Sequence, residues 1–385
     1  MRVLMISTFP PRRCGIGDYT ADLAFAMSRL GGVQLRVLTY PDGVKTPLSQ
    51  EYGIELSRRL GQKPVVESLA SDIESFKPDL VHLQSSSFLH RPVVNRSIIR
   101  ASPGPLVTTA HDTPRSRRVF YTIPSLRKLY RKSARVIVHS PSVSRILIEA
   151  HGVEEAKIVK IPHGVDVNTY SPNAPQEETR KRYGLTDERF VLFFGFLRPG
   201  KGVETLLESW RIIESSVPDT LLVVAGGTPS SARSYFFNLR NEADYPTTLI
   251  ELAKSLGIER RVRFTGYVPD RLVPGLLTSA AAIVLPYEGP FSQSGPLHKT
   301  LAAGTPLVAS KVPGTVELLE DGTTALLCPP RDARALANAI YRVLTDGQLA
   351  ERLSQNARRM AEQQMDWGIL ARATFALYSS VVDGA

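Results

Sequence analysis

At 385 residues the chain exceeds what one hydrophobic core usually holds, about 250–300 residues, so two domains are expected. Its 43% hydrophobic and 22% charged residues are those of a folded globular protein and exclude a disordered, collagen-like or disulfide-stapled chain. The formal net charge of +10 favours anionic partners such as nucleotides, phospholipid or nucleic acid without choosing among them.

In chain order, Val3-Leu-Met-Ile6 reads as a strand, Asp18 to Leu30 as an amphipathic helix and Leu35 to Thr39 as a second strand. The opening apolar run of four residues is shorter than a signal-peptide core, so export by that route is not expected. Further strands follow at Leu80–Leu83, Leu106–Thr109, Arg135–Val138 and Ile158–Ile161. Strands alternating with helices imply βαβ units and a parallel sheet. Pro162-His-Gly-Val-Asp-Val-Asn-Thr-Tyr-Ser-Pro172 and the polar stretch to Arg180 have the character of an interdomain connection. The rhythm then restarts with strands at Phe190–Phe194, Thr220–Val224, Val262–Phe264, Ala282–Leu285, Pro306–Ala309 and Ala325–Leu327. Helices are expected at Val203–Ser215, Leu249–Leu256 and Trp367–Val382, with a mobile insertion at Thr228–Pro246.

The fold class is therefore α/β, with two doubly wound Rossmann-like domains. The expected division is an N-terminal domain at 1–170, a second domain at 171–365, and a C-terminal helix at 366–385 that packs back on the first domain. Open α/β sheets bind ligands outside the carboxyl ends of their strands, so one ligand site is expected on each domain, facing a central cleft. Cys14 and Cys328 are the only cysteines, which leaves no Cys-x-x-Cys pair and no zinc-ribbon or iron–sulfur spacing; a reduced cytoplasmic protein is expected. No run approaches the ~20 apolar residues that cross a bilayer.

Four segments carry chemistry. In Phe193-Phe-Gly-Phe-Leu-Arg-Pro-Gly-Lys-Gly-Val-Glu-Thr-Leu-Leu207, a strand gives way to a glycine-rich turn bearing Arg198 and Lys201, and a helix follows. Free amides, the positive end of a helix dipole and two cations make a diphosphate site. The run Gly195 to Lys201 fits Gly-x4-Gly-Lys, but Gly202 replaces the hydroxyl residue that a P-loop needs for Mg²⁺. A basic helix cap without ligand is the alternative. In Pro10 to Thr20, Gly15 and Gly17 allow close backbone approach to a ligand, or mark a turn with Asp18 as helix cap. Thr20 occupies the third glycine position of a dinucleotide fingerprint, which disfavours a nicotinamide site despite Asp42. His111 and Asp112 stand just past a strand end, where a histidine could donate to a sugar or phosphate or be a satisfied core residue. In Leu285 to Val308, Ser292, Gln293, Ser294 and Gly295 offer amides and hydroxyls at a helix start.

Together these segments resemble the retaining glycosyltransferases of family 4, of GT-B fold. The resemblance runs through the N-terminal glycine loop, His111, Pro162-His-Gly-Val-Asp166, the Arg198–Lys201 loop, Val223-Val-Ala-Gly-Gly227, Phe264-Thr-Gly-Tyr-Val268, Ala302-Ala-Gly-Thr-Pro306 and Gly314-Thr-Val-Glu-Leu318. It implies a nucleotide-diphosphate sugar as donor, with Arg198 and Lys201 neutralising the diphosphate and His111 contacting the donor sugar. Gly15 and Gly17 would lie under the diphosphate, with Gly227 in the donor site and Tyr267 and Val268 lining the base pocket. No cofactor and no metal are implied, and no Asp-x-Asp pair is present. The family carries two glutamates eight positions apart before Ala-x-x-Gly-x-Pro; aligned on Gly304 and Pro306, Phe291 and Lys299 stand there instead. Glu288, Lys299 and the Ser292–Gly295 run are therefore the expected donor contacts in this region. Alternatives are another GT-B enzyme such as a nucleotide-sugar epimerase, or a non-catalytic nucleotide-sugar or anionic-glycan binding protein.

Eight cations from Arg115 to Arg135 interleave with Phe120, Tyr121, Ile123, Leu126, Leu129 and Tyr130 and no acid. The expectation is peripheral contact with anionic membrane, or a lipid-linked or anionic acceptor. A solvated basic face is the alternative. No nucleic-acid partner is expected, as no stacking platform or helix-turn-helix accompanies the charge.

Overall fold

The computed structural model describes residues 1–12, 14–41, 53–57, 60, 65–86, 89–113, 123–171, 174–228, 245–289 and 294–384. The chain forms two compact units, Met1–Gly164 with Trp367–Ala385, and Val165–Asp366. The first boundary thus falls six residues before the expected 170, and the second between Asp366 and Trp367.

Among the described residues, the first unit holds strands β1 (Arg2–Ile6), β2 (Gln34–Leu38), β3 (Glu55–Ser57), β4 (Leu80–Ser85), β5 (Leu106–Ala110), β6 (Arg135–Val138) and β7 (Ile158–Lys160). They form one parallel sheet in the order β3-β2-β1-β4-β5-β6-β7. Side chains alternate across it, as the period of two requires. Val3, Met5, Leu35 and Val37 face the first helix, Gly15–Ser28, and the C-terminal helix, Trp367–Val382. Leu4, Ile6, Val81 and Leu83 face the opposite core, which includes Leu126, Leu129 and Tyr130 of the Ile123–Lys132 helix.

The C-terminal helix joins this unit through Trp367, Leu370, Ala371, Thr374, Tyr378 and Val381, a single buried stripe at helical spacing. Gly164 makes room for it, because a Cβ there would lie inside the Trp367 ring. The first helix begins at Gly15 with Cys14 in the cap position, so Asp18 sits in its first turn and is not the cap anticipated from sequence. Strand β3 escapes sequence reading because three residues of mixed exposure carry no pattern.

The second unit holds β8 (Arg189–Phe194), β9 (Thr220–Ala225), β10 (Val262–Gly266), β11 (Ala282–Leu285), β12 (Leu307–Ser310) and β13 (Leu326–Cys328). Their parallel order is β10-β9-β8-β11-β12-β13. Strand order reverses between β1 and β4 in one sheet and between β8 and β11 in the other. At such switch points the crossovers part and leave a crevice at the strand carboxyl ends. Of the insertion expected at 228–246, residues 229–244 lie outside those described.

Candidate active site

In the second unit, the loop after β8 reaches the switch point between β8 and β11. Gly195 N–H donates to the Ala225 carbonyl at 3.0 Å and Leu197 N–H to the Gly227 carbonyl at 3.0 Å, so the β8–β9 pairing extends past both strand ends. Gly226 permits this approach, since a Cβ there would collide with the Gly195 carbonyl. The chain then turns through Gly202, whose left-handed φ of +72° places it as cap of the Val203–Ile213 helix. A side chain on Gly202 would strike the Pro286 carbonyl.

Lys201 precedes this cap and is only 7% exposed. Its Nζ lies 3.9 Å from the centroid of the Tyr287 ring. Burial, reinforced by the nearby Arg198 charge, lowers its pKa from 10.5 to about 7. A desolvated ammonium beside an arginine and a helix N-terminus is poised for an anion.

The segment after β11 braces the loop. Glu288 N–H donates to the Gly200 carbonyl at 3.0 Å. Its carboxylate accepts from the Thr205 hydroxyl at 3.1 Å and from Arg331 Nε at 3.0 Å. Both oxygens are thus engaged within the protein, and Glu288, expected among the donor contacts, ties the glycine loop to the helix behind it. Tyr287 is buried, its hydroxyl 3.1 Å from Ser294 Oγ, and desolvation pushes its pKa up to about 12. Ser294 caps the Gly295–Ala303 helix by accepting from Leu297 N–H. Gly227 packs on Tyr267, and Val268 is buried in the core beside it. Lys299 lies in the Gly295–Ala303 helix with its Nζ 5.5 Å from the Tyr170 ring centroid.

In the first unit, the carboxyl ends of β4 to β7 gather a second cluster. His111, half-buried after β5, receives Tyr19 of the first helix edge-on at 4.7 Å. His139 after β6 and His163 after β7 lie 5.1 Å from the same tyrosine ring, as does Trp367. Among the described residues no three acidic, thiol or imidazole groups converge as a metal ion would require. Burial, then the neighbouring His139 and His82, holds the His111 pKa well below 6.5, so the imidazole is neutral at pH 7. His111 Nε2 lies 2.8 Å from Gln84 Oε1, and its backbone N–H donates to the Ser85 carbonyl. Gly17 is needed for packing, with Phe9 N and Thr8 Oγ1 each 3.3 Å from its would-be Cβ, whereas open space faces Gly15.

Comparison with known proteins bears on both sites. The family description Glycosyltransferase Family 4 matches residues 14–169, and Glycosyl transferases group 1 matches residues 175–360. A phosphatidyl-myo-inositol mannosyltransferase of Mycobacterium leprae is 30% identical over 95% of this chain and 93% of its own. The chain belongs to the family 4 glycosyltransferases. A glycogen synthase of Mycobacterium tuberculosis is similar at 29% identity over 83% of this chain and 72% of its own. Anabaena HepE, solved in complex with UDP and glucose, superposes with a TM-score of 0.80 at 22% identity, over 99% of this chain and 100% of its own. Sucrose-phosphate synthase of Thermosynechococcus elongatus gives a TM-score of 0.80 at 21% identity over the whole of both chains. The glycosyltransferase thus has the GT-B fold.

Contacts link most expected residues of this glycosyltransferase's second unit into one constellation: Arg198, Lys201, Gly227, Tyr267, Val268, Glu288, Ser294 and Gly295. Ser292, Gln293 and Phe291 lie outside the described residues, as does Asp42 of the first unit. Arg331 and Tyr287 were not among the expected residues, since Arg331 meets Glu288, and Tyr287 meets Lys201, from a distant part of the chain. In the first unit, Gln84, His139, His163 and Tyr19 join His111; Gln84 and His139 stand at or just past strand ends, His163 lies in the Pro162–Asp166 segment, and Tyr19 is on the first helix, where no local pattern marks it. Of the basic segment, residues 114–122 are outside the described set, and the Ile123–Lys132 helix departs from expectation. Leu126, Leu129 and Tyr130 are core residues, not an interfacial face, and Arg127, Lys128, Arg131 and Lys132 are left exposed. Among the described residues no helix is long and apolar enough to cross a membrane.

Proposed function

We propose that the protein transfers a sugar from a nucleoside-diphosphate sugar to an acceptor hydroxyl, without a metal and with retention of anomeric configuration. The observation that carries this reading is Lys201, an ammonium buried at a helix N-terminus on a glycine loop, with Arg198 beside it. As the glycosidic bond to the diphosphate breaks, negative charge grows on the departing phosphate oxygen. Fixed cations and amides already facing that point stabilise it with no further reorganisation. The acceptor hydroxyl attacks from the face the diphosphate leaves, and the leaving phosphate takes its proton. The protein's remaining task is to hold the reactants close.

His111 would contact the donor sugar, and the open backbone at Gly15 would lie against the diphosphate from the first unit. Gly227, Tyr267 and Val268 would border the base, and Ser292 to Gly295 the sugar or phosphate. HepE's complexes with UDP and with UDP-glucose support a nucleotide-sugar donor. The mannosyltransferase relative's name supports a lipid-linked or anionic acceptor, in keeping with the exposed cations of the Ile123–Lys132 helix.

The test is a transfer assay over nucleotide-sugars. Arg198→Ala and Lys201→Ala are each expected to lower kcat about 10²–10³-fold, the loss usual for one transition-state charge partner, while EDTA leaves the rate unchanged. Wild-type rates in both variants would remove the role given to these cations. Lys299 over Tyr170, where the family carries a glutamate, favours a second reading as a non-catalytic donor-binding protein; donor binding with neither transfer nor hydrolysis would select it.

A further inference from the structure

Arg331 stands in the turn between β13 and the Ala333–Thr345 helix with a left-handed backbone, φ +61°, which favours glycine and strains a residue that bears a Cβ. Its side chain is 73% exposed, and an ion pair made from the surface ordinarily adds little to stability. Stability alone therefore gives no reason for a strained arginine here, and the reason lies in its partner. Arg331 Nε donates to Glu288 Oε2 at 3.0 Å, and the Glu288 side chain is only 15% exposed.

Glu288, on the segment after β11, holds the glycine loop from both sides of Lys201. Its N–H donates to the Gly200 carbonyl at 3.0 Å, and its Cγ lies 3.3 Å from where a Cβ on Gly202 would stand. Its Oε1 accepts at 3.1 Å from the hydroxyl of Thr205, in the helix that the loop enters. The brace thus sets a carboxylate against the loop read above as a diphosphate site. Out of bulk water, like charges repel over several ångströms with weak screening, so a bare carboxylate here would oppose an anionic ligand. Arg331 is the cation that the described residues pair with it. Strand β13 is the edge of the sheet and β12 separates it from β11, so the arginine reaches back across one strand.

We propose that Arg331 is a positioning residue of the donor site: by taking Glu288 Oε2 it cancels the charge of the carboxylate that braces the glycine loop, so the loop is held in place without repelling the donor's diphosphate. The proposal rests on the reading above that this loop binds the diphosphate, and it adds how the site tolerates an acid in its frame. The two oxygens divide the work: Oε1 ties the loop to its helix through Thr205, and Oε2 meets the balancing charge. Arg331 acts through Glu288 rather than on the donor.

The experiment is titration calorimetry of the full-length protein with UDP, GDP and ADP at pH 7 in EDTA. Arg331→Gly removes the cation, and glycine suits the +61° backbone, so the variant should fold, as its melting curve would show. It should bind the nucleotide preferred by the wild type roughly tenfold more weakly, the scale of one uncompensated charge near a partly buried anion site. Arg331→Lys should keep most of the affinity. Adding Glu288→Gln to Arg331→Gly removes the stranded charge and should recover most of what was lost, an outcome that a merely mechanical brace would not give. Wild-type affinity in Arg331→Gly, or a double variant no better than Arg331→Gly, would overturn the proposal. If Arg331→Gly does not fold, Arg331→Gln with and without Glu288→Gln decides by the same comparison. Lys201→Met tests the underlying reading separately: wild-type affinity in that variant, or no nucleotide bound by the wild type, would defeat the diphosphate site and the proposal with it. Loss of binding in Lys201→Met beside wild-type affinity in Arg331→Gly would defeat the Arg331 assignment alone.

Discussion

Lys201 weakens the empty protein and serves the loaded one. Its pKa of about 7, against an ordinary 10.5, means that burial penalises the charged form that the unfolded chain would hydrate, and that the folded protein carries this proton in only about half its molecules at pH 7. Between about pH 7 and 10.5 the unfolded state binds more protons, so this group's penalty fades as pH rises through that window. Lys201→Met should accordingly raise the melting temperature of the ligand-free protein, by about 2–4 °C for each kcal/mol relieved, while donor binding is lost. Calorimetric melting with and without nucleotide checks both halves. A diphosphate beside Lys201 raises its pKa again, so binding between pH 7 and 9 should take up a proton. Affinity should then fall as pH climbs above 7, by up to tenfold per unit. Titration calorimetry in buffers of differing ionisation enthalpy reads that proton directly.

The glycine loop and the C-terminal helix show how short sequence signals become geometry. Gly202 must hold a left-handed turn under the Pro286 carbonyl, so Gly202→Ala should cost at least about 2 kcal/mol in urea unfolding and displace Lys201 as well. Trp367 closes the core over Gly164 at 5% exposure, and Trp367→Ala should cost about 3–5 kcal/mol, measured the same way. The loop's cations and glycines are contiguous, so its ligand chemistry could be read from spacing alone. The βαβ rhythm made the parallel sheets equally readable, because each strand is a short apolar run flanked by turns. The bracing role of Glu288 escaped for the opposite reason. It depends on Thr205 and Arg331, 83 and 43 residues away, and spacing cannot show which side chain meets another at that distance. The same holds for the rings around Tyr19, drawn from the ends of β5, β6 and β7 and from the last helix. Leu129 and Tyr130 fit a membrane-facing pattern and a core-facing one equally well, and burial in the first unit decided between them.

Whole-molecule behaviour follows from where the charges and imidazoles lie. In the first unit, burial lowers the pKa values of His82 to about 3 and of His90 and His139 to about 4, and holds His111 well below 6.5. Above pH 6.5 these groups are neutral in both states and cost nothing. As pH falls from 6.5 toward 4, the unfolded chain takes up their protons and the folded chain does not, so stability should drop by about 1.4 kcal/mol per pH unit for each proton taken up. Scanning calorimetry from pH 7 to 4 should show the transition of the first unit moving down before that of the second. With its apolar side chains in the core, the Ile123–Lys132 helix offers lipid only charge. Binding to anionic vesicles should therefore be reversed by about 0.5 M salt, where the screening length is a few ångströms, and be absent with neutral vesicles, as sedimentation would show.

The most direct test of the donor site is titration of wild-type and Lys201→Met protein with UDP, GDP and ADP at pH 7 in the presence of EDTA. At least one nucleotide should bind the wild type, with affinity reduced a hundredfold or more in the variant despite its higher melting temperature. Equal affinity in the two proteins, or binding by the wild type only when Mg²⁺ is restored, would contradict a diphosphate site built on Arg198 and Lys201.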